Sequence, residues 1–317
     1  MWFYVAALLG FFFLLRWYRD KQVLRNLTEK YVFITGCDSG FGNLLARQLD
    51  SRGLRVLGAC LTQEGAEKLK GATSERLQTT LLDVRSTESV AKATEWVKNC
   101  VGEKGLWGLV NNAGISFPCA PNEWLTKEDF KKIIDINLLG MIDVTIHMLP
   151  LLRRAKGRIV NVSSIMGRMA FFGGGYCPSK YGVEAFSDSL RLEMATFGVK
   201  VCIIEPGYFR TAVTNEKLVH DSFNNSWVRL PQEVKKAYGE SFFQRMIQGA
   251  TDMQSKCSPN LSLVTNCMEH ALTAVHPRTR YSAGSDAKYF FIPLSYMPTW
   301  MYDLVFGGAY RIKEQHA

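Results

Sequence analysis

Tyr31-Val32-Phe33-Ile34-Thr35-Gly36-Cys37-Asp38-Ser39-Gly40-Phe41-Gly42 is a short apolar β run that opens directly into a glycine-rich loop. The next residues, Asn43 to Ser51, place Leu44, Leu45 and Leu49 at helical spacing. Strand, glycine loop and helix in that order are the context a dinucleotide-binding fingerprint requires. Gly36, Gly40 and Gly42 let the backbone turn tightly and approach a pyrophosphate, which rests at the helix N-terminus. Asp38, Ser39 and Phe41 complete the candidate loop contacts. An ordinary strand–helix turn can carry the same glycines, so the surrounding pattern has to decide.

That pattern repeats outward. Arg55 to Cys60 reads as a second strand, and its tip, Leu61-Thr62-Gln63-Glu64, is expected to face an adenosine ribose. A carboxylate there accepts from ribose hydroxyls and repels a 2′-phosphate. Glu64 and Asp38 are acidic and the first lysine is Lys68, which favours NAD, with NADP the alternative. Leu77 to Val84 reads as a third strand that brings Asp83 toward the adenine amino group. Leu106 to Val110 reads as a fourth, ending in Asn111-Asn112-Ala113-Gly114. Thr126 to Arg154 reads as a long helix with Thr126 as N-cap, carrying Asn137 among apolar neighbours. Asn137 is either a satisfied core amide or the holder of a water that serves Lys180. Arg158 to Ser164 is a buried strand that delivers the Ser164 hydroxyl at its end. Val199 to Glu205 is another, ending in Pro206-Gly207, where the backbone and Thr211 can hold the carboxamide end of a nicotinamide. Strands alternating with helices predict an α/β, doubly wound parallel sheet of Rossmann type in a single domain, with ligand at the strands' carboxyl ends.

Tyr176-Cys177-Pro178-Ser179-Lys180 carries the chemistry. Tyrosine and lysine four residues apart lie one above the other on a helix. Free tyrosine has a pKa near ~10, and a neighbouring ammonium favours the phenolate. The pair therefore makes a candidate general base, with Ser164 beside it. A solvated helix face with the same spacing is the competing reading.

The chain has 317 residues and a net charge of +9. Its basic residues are scattered pairs such as Lys131-Lys132 and Lys235-Lys236, not a stripe interleaved with aromatics, which speaks against a nucleic-acid partner. The eight cysteines include no Cys-x-x-Cys and favour reduced thiols. The five histidines show no ligand spacing, so no metal is expected.

Met1 to Leu15 is uninterrupted apolar sequence, followed by Arg16-Trp17-Tyr18-Arg19-Asp20-Lys21. A signal peptide wants basic residues before the run and small residues at a cleavage site, and a core helix needs partners all round. A retained membrane anchor over 1–17 is the expectation, with a linker over 18–29. The positive flank after the run puts the body of the protein on the cytosolic side. The main domain is expected over 30–285. An apolar C-terminal segment over 286–317, broken by Pro293 and Pro298, is read as interfacial or as a pocket cover.

Taken together, Thr35-Gly36-x3-Gly40-x-Gly42, Asn111-Asn112-Ala113-Gly114, Asn137, Ser164, Tyr176-x3-Lys180 and Pro206-Gly207 resemble the short-chain dehydrogenase/reductase family. The wider text at Phe33 to Gly42, Lys104 to Gly114 and His276 to Tyr281 looks like its microsomal retinol and 3α-hydroxysteroid dehydrogenase subfamily. The resemblance implies hydride transfer between an apolar alcohol and NAD at the endoplasmic reticulum membrane. In it Tyr176 takes the hydroxyl proton, Lys180 lowers its pKa and binds the nicotinamide ribose, Ser164 hydrogen-bonds the substrate oxygen and Asn137 completes a relay. A homodimer through the long helices is the family expectation. Phe117 to Trp124, Ile165 to Gly175 and Tyr208 to Gln254 would line the substrate side. The rivals are an NADPH-driven carbonyl reductase on the same substrates and a catalytically idle lipid-binding scaffold.

Overall fold

Runs such as Val32-Phe33-Ile34 and Ile159-Val160, apolar on both faces, settle only in a sheet covered on two sides. The computed structural model describes residues 2–310 except Phe172. Met1 of the expected anchor, Phe172 of the expected substrate side and residues 311–317 of the C-terminal segment lie outside the described residues. The strands are β1 (Tyr31–Thr35), β2 (Arg55–Cys60), β3 (Gln78–Leu81), β4 (Gly108–Asn111), β5 (Arg158–Val162), β6 (Lys200–Pro206) and β7 (Arg280–Ala283). They form one sheet in the order β3-β2-β1-β4-β5-β6-β7, and every ladder is parallel.

Period-two alternation sends neighbouring side chains to opposite faces. Val32, Ile34, Val160 and Ile204 pack with Leu45, Leu49, Met268 and Leu272 on one face, under α2 (Gly40–Ser51) and α11 (Ser262–Thr273). Phe33, Leu109 and Ile159 pack with Val97, Met148, Leu152 and Leu190 on the other, under α4 (Thr87–Val101), α6 (Met141–Ala155) and α7 (Tyr176–Ala195). The doubly wound reading of the sequence is the observed architecture.

Local departures have local reasons. The third strand is shorter than its apolar text because β3 is an edge strand that meets only β2. The long helix begins as expected, with Thr126 and Asp129 forming a reciprocal cap on α5 (Lys127–Ile134). It continues through a π turn, Asp135–Gly140, before α6. That turn swings Asn137 inward and sets Gly140 against Val84, where a Cβ would come within 2.6 Å of the Val84 carbonyl oxygen. The whole run Lys127–Ala155 is long and apolar enough to cross a membrane, but Ile133, Met141, Val144, Met148 and Leu152 are buried against the sheet.

The N-terminal run is one helix, α1 (Trp2–Asp20), so it extends past the expected boundary at residue 17. Trp2, Phe3, Leu8, Phe11 and Leu14 are exposed along it. Its root is fastened to the domain. Asp20 pairs with Arg278, and its carbonyl oxygen lies 2.9 Å from His270 Nε2. Leu24 N donates to Thr273 O and Val275 N to Gln22 O, each at 2.8 Å.

A second, smaller core lies over the carboxyl edge. Trp124 is packed among Phe223, Trp227, Tyr238, Phe242 and Phe243, with ring centroids 5.0–6.5 Å away. These residues come from α8 (Glu216–Arg229), α9 (Gln232–Tyr238) and α10 (Glu240–Ser255). The aromatics expected to line the substrate side therefore bury mostly each other. Trp124→Ala should leave the sheet folded but loosen this cap. Limited proteolysis should then cut within 212–255 faster than in the parent, and an unchanged digestion pattern would refute the separation.

Candidate active site

All the motifs read from the sequence reach the carboxyl edge of the sheet, and the loops after β1 and β4 are tied together there. Thr35 Oγ1 accepts from Asn112 N at 3.0 Å and Ala113 N at 3.1 Å, while Asn112 Nδ2 donates to Thr35 O and Gly36 O at 3.0 Å. Gly36 and Gly40 hold positive φ of 70° and 61°, which L side chains rarely adopt. Gly42 has no room for a methyl group, since a Cβ would stand 2.4 Å from Gly36 O and 2.5 Å from Asn112 Nδ2. Ser39 precedes α2 without giving it a side-chain cap, so the first-turn N–H groups keep their capacity for an anion. Gly40 lies beside Thr211, whose methyl carbon is 3.9 Å from an added Cβ. The glycine loop and the Pro206–Thr211 segment thus face each other.

The chemical pair rides on the first turn of α7. Lys180 Nζ is 5.6 Å from the Tyr176 ring centroid and donates to Val162 O at 2.8 Å. The two side chains share one flank of the helix. An added Cβ at Gly114 would sit 3.2 Å from Asn137 Oδ1 and 3.8 Å from Lys180 Nζ, which puts the end of β4 directly against them. Asn137 accepts from Ile115 N and donates to Ile115 O, both at 2.8 Å, and donates to Ser179 Oγ at 3.1 Å. Its amide clamps the loop after Gly114 to α7, so its observed partners are structural. Ser164 caps the turn after β5, accepting from Met166 N at 3.1 Å, and its hydroxyl stands close enough to the Tyr176 phenol to lower its pKa.

Burial dominates the electrostatics of both groups. It pushes the Tyr176 phenol up to about 12, opposed by the Ser164 hydroxyl. It pulls the Lys180 ammonium down to about 8, with the Glu184 carboxylate opposing. The phenol is thus raised in this structure, where the sequence led one to expect lowering by lysine. Burial disfavours the charged phenolate and so raises the phenol.

Several expected contacts are placed differently. Glu64 follows the β2 tip in the first turn of α3 (Gln63–Gly71), exposed, with its carboxylate bonding Lys68 at 2.5 Å. Asp38 meets that tip. Its oxygens accept from Leu61 N at 2.8 Å, Thr62 N at 3.0 Å and Thr62 Oγ1 at 2.7 Å. The Asn111 side chain is buried, its Nδ2 donating to Thr145 Oγ1 and Asn161 Oδ1 at 2.8 Å and its Oδ1 without a partner. Asp83 follows β3 as expected, but its carboxylate is held by Arg85 at 2.6 Å. On the far side, Gly207 N donates to Ala283 O at 2.9 Å and Tyr208 N to Asp286 Oδ2 at 2.7 Å. Asp286 braces the Pro206–Gly207 turn, and nothing in its local sequence marks it because its partners are some eighty residues away.

The roof over Tyr176 comes from the C-terminal segment. Phe171 stacks on Phe306 at 4.5 Å and on Phe291 at 5.7 Å, and Tyr302 donates to Ala170 O. Ile165, Met166 and Met169 complete that apolar wall. The segment carries both features: Phe291 and Phe306 pack inward on Phe171, while Tyr289, Tyr296, Trp300 and Leu304 are exposed. The residues present fit a dinucleotide: a side-chain-free cradle at Gly36 and Gly42, uncapped helix N–H groups, a carboxylate at the β2 tip and a lysine beside the phenol.

Comparison with known proteins agrees with this geometry. The family model described as short chain dehydrogenase matches residues 30–221. Human retinol dehydrogenase 16 is 66% identical over 96% of this chain and 96% of its own. Human 17-beta-hydroxysteroid dehydrogenase type 6 is 61% identical, with 96% of each covered. A short-chain dehydrogenase from Streptomyces avermitilis shares the fold, with a TM-score of 0.68 at 24% identity over 88% of this chain and 94% of its own. An alcohol dehydrogenase from Thermococcus sibiricus, solved with 5-hydroxy-NADP, has a TM-score of 0.53 at 27% identity, covering 57% of this chain and 77% of its own.

Behind Lys180 lies a buried ionic cluster. Arg280 bonds Glu184 at 3.0 Å and Asp188 at 2.6 Å, and Arg168 bonds Glu205 at 3.2 Å. Burial, then the like charge of Glu184, pushes Glu205 up to about 7 from 4.5. A raised carboxyl binds its proton more tightly in the folded chain, so its contribution is full below about 4.5 and is lost as pH rises through about 7. The melting temperature of the parent should therefore fall relative to Glu205→Gln across that window and run parallel above it. A constant difference between the two proteins from pH 4.5 to 7 would refute the assignment.

Proposed function

The chain belongs to the short-chain dehydrogenase family, in its branch of retinol and hydroxysteroid dehydrogenases, and on that premise we propose that it oxidises membrane-soluble alcohols with NAD. The proposed substrates are retinol, its cis isomers included, and hydroxysteroids. The observation that carries the reading is the Ser164–Tyr176 hydroxyl pair with Lys180 on the same flank, beside the glycine cradle. Ser164 orients the substrate oxygen. Tyr176 takes the hydroxyl proton as the carbinol carbon loses its hydride and its C–O bond becomes a carbonyl. An oxidised nicotinamide supplies the hydride acceptor and a positive ring charge. Lys180, pulled down to about 8, is still mostly protonated at neutral pH and so favours the phenolate against burial.

The lean to NAD now rests on Asp38, not Glu64. Asp38 sits at the β2 tip, where a carboxylate accepts from a ribose hydroxyl and repels a 2′-phosphate. The α1 helix supports retention at the endoplasmic reticulum membrane, and Arg16, Arg19 and Lys21 after its apolar run support a cytosolic domain. Protease added to intact microsomes should then degrade the domain. Exposed Leu139, Ile146 and Tyr181 on the long helices suit a homodimer.

Tyr176→Phe should lower turnover by about 10²–10⁴-fold while NAD binds with unchanged affinity. An undiminished rate on all-trans-retinol, a cis-retinol, and 3α- and 17β-hydroxysteroids would refute the base assignment. For cofactor choice, Asp38→Asn should shift the ratio of NADP to NAD dissociation constants by about tenfold toward NADP, or about 1.4 kcal/mol. Glu64→Gln should leave that ratio alone, and the opposite pattern would return the role to Glu64.

A further inference from the structure

At the amino edge of the sheet, opposite the site just described, the strands begin with a row of cations. Arg158 opens β5 and Lys200 opens β6, and the two are register partners on adjacent strands. Lys30 immediately precedes β1, and its Nζ lies 3.8 Å from the centroid of the Trp107 ring. The Arg158 guanidinium lies 4.5 Å from the same ring. Arg158 is 2% exposed, and its Nε has no hydrogen-bond partner. Its Nη1 donates to Ala271 O at 2.8 Å and Ala274 O at 2.9 Å, and Lys200 Nζ donates to Val275 O at 3.0 Å.

Among the described residues, neither Lys30, Arg158, Lys200 nor Arg19 forms an ion pair with a carboxylate. The acid whose charge acts on Lys30 is Glu29, and that is engaged by Lys104 at 3.7 Å. The carbonyls of the α11 C-terminus supply about half a negative charge, well short of the cations gathered on them. Burial pulls Arg158 down to about 10, and burial and mutual repulsion lower Lys30 and Lys200, with Arg19 acting on Lys200.

The same stretch that receives these cations, residues 271–275, also receives the chain leaving α1, through Leu24 N to Thr273 O and Val275 N to Gln22 O. The cluster therefore stands at the root of the helix proposed to enter the bilayer. Phosphates of the lipid headgroups lie at that depth, and basic pockets beside membrane segments hold anionic headgroups. We propose that Lys200 and Arg19, backed by Arg158, and Lys30 farther along the same edge hold the phosphates of anionic phospholipids and so fix how the domain sits on its anchor. The proposal rests on the anchor reading of α1.

The full-length protein in nanodiscs tests it. Raising phosphatidylserine from none to one lipid in five, in phosphatidylcholine, should raise the melting temperature by about 2–4 °C. The double variant Lys30→Gln, Lys200→Gln should melt like the parent in pure phosphatidylcholine and lose the rise, and Lys235→Gln, Lys236→Gln should keep it. An equal rise in all three proteins means general surface charge and overturns the site. An equal rise from millimolar inorganic phosphate in pure phosphatidylcholine makes it a free-phosphate site and overturns the lipid assignment. A parent that joins the nanodisc but shows no rise also overturns it, whereas a parent that does not join removes the anchor reading instead.

Discussion

Four hydrogen bonds between Thr35–Gly36 and Asn112–Ala113 hold the ends of β1 and β4 at a fixed spacing, and much of the cleft follows from that spacing. They make the backbone of Gly36 and the amide of Asn112 the walls that exclude a side chain at position 42. They also set where Ala113 and Gly114 leave the sheet, and hence where Asn137 and Lys180 meet the chain. One threonine hydroxyl accepting two backbone N–H groups thus links the cradle to the reacting pair.

The polar groups beneath this edge are nearly all spent on one another. Asn111 donates to Thr145 and Asn161, and Asn161 Nδ2 donates to Ser187 at 2.8 Å, so β4, β5, α6 and α7 are joined through a buried chain of amides and hydroxyls. In a low-dielectric interior such a network is costly where incomplete, and here, of the Asn111 and Asn161 amide atoms, Asn111 Oδ1 alone is buried without a partner. It leaves the site's free capacity in the glycine loop, the Ser164 and Tyr176 hydroxyls and the Lys180 ammonium.

The strand–loop–helix text at Tyr31 to Ser51, the alternation of strands and helices, and the Tyr176–Lys180 spacing were legible because each is a local pattern with a fixed period. Side-chain direction was not legible. Glu64 follows β2 in sequence and Asp38 follows β1, and only the fold brings the Asp38 carboxylate across to Leu61 and Thr62 while Glu64 pairs with Lys68. The direction of the Asn111 amide was hidden in the same way, since an amide at a strand end faces ligand or core according to pleat. Asp286 was invisible because it acts across distant segments, and the raised phenol of Tyr176 because burial is a property of the fold.

The roof formed by Phe291, Tyr302 and Phe306 arrives after the last strand and is held by Phe171, Ala170 and Tyr208. The tail meets the site at two places, the Asp286 brace on the turn after β6 and the apolar wall beside Tyr176, and is exposed over much of the rest. A lineage built this way can exchange one greasy guest for another by editing its last few turns, keeping the reaction and changing the menu.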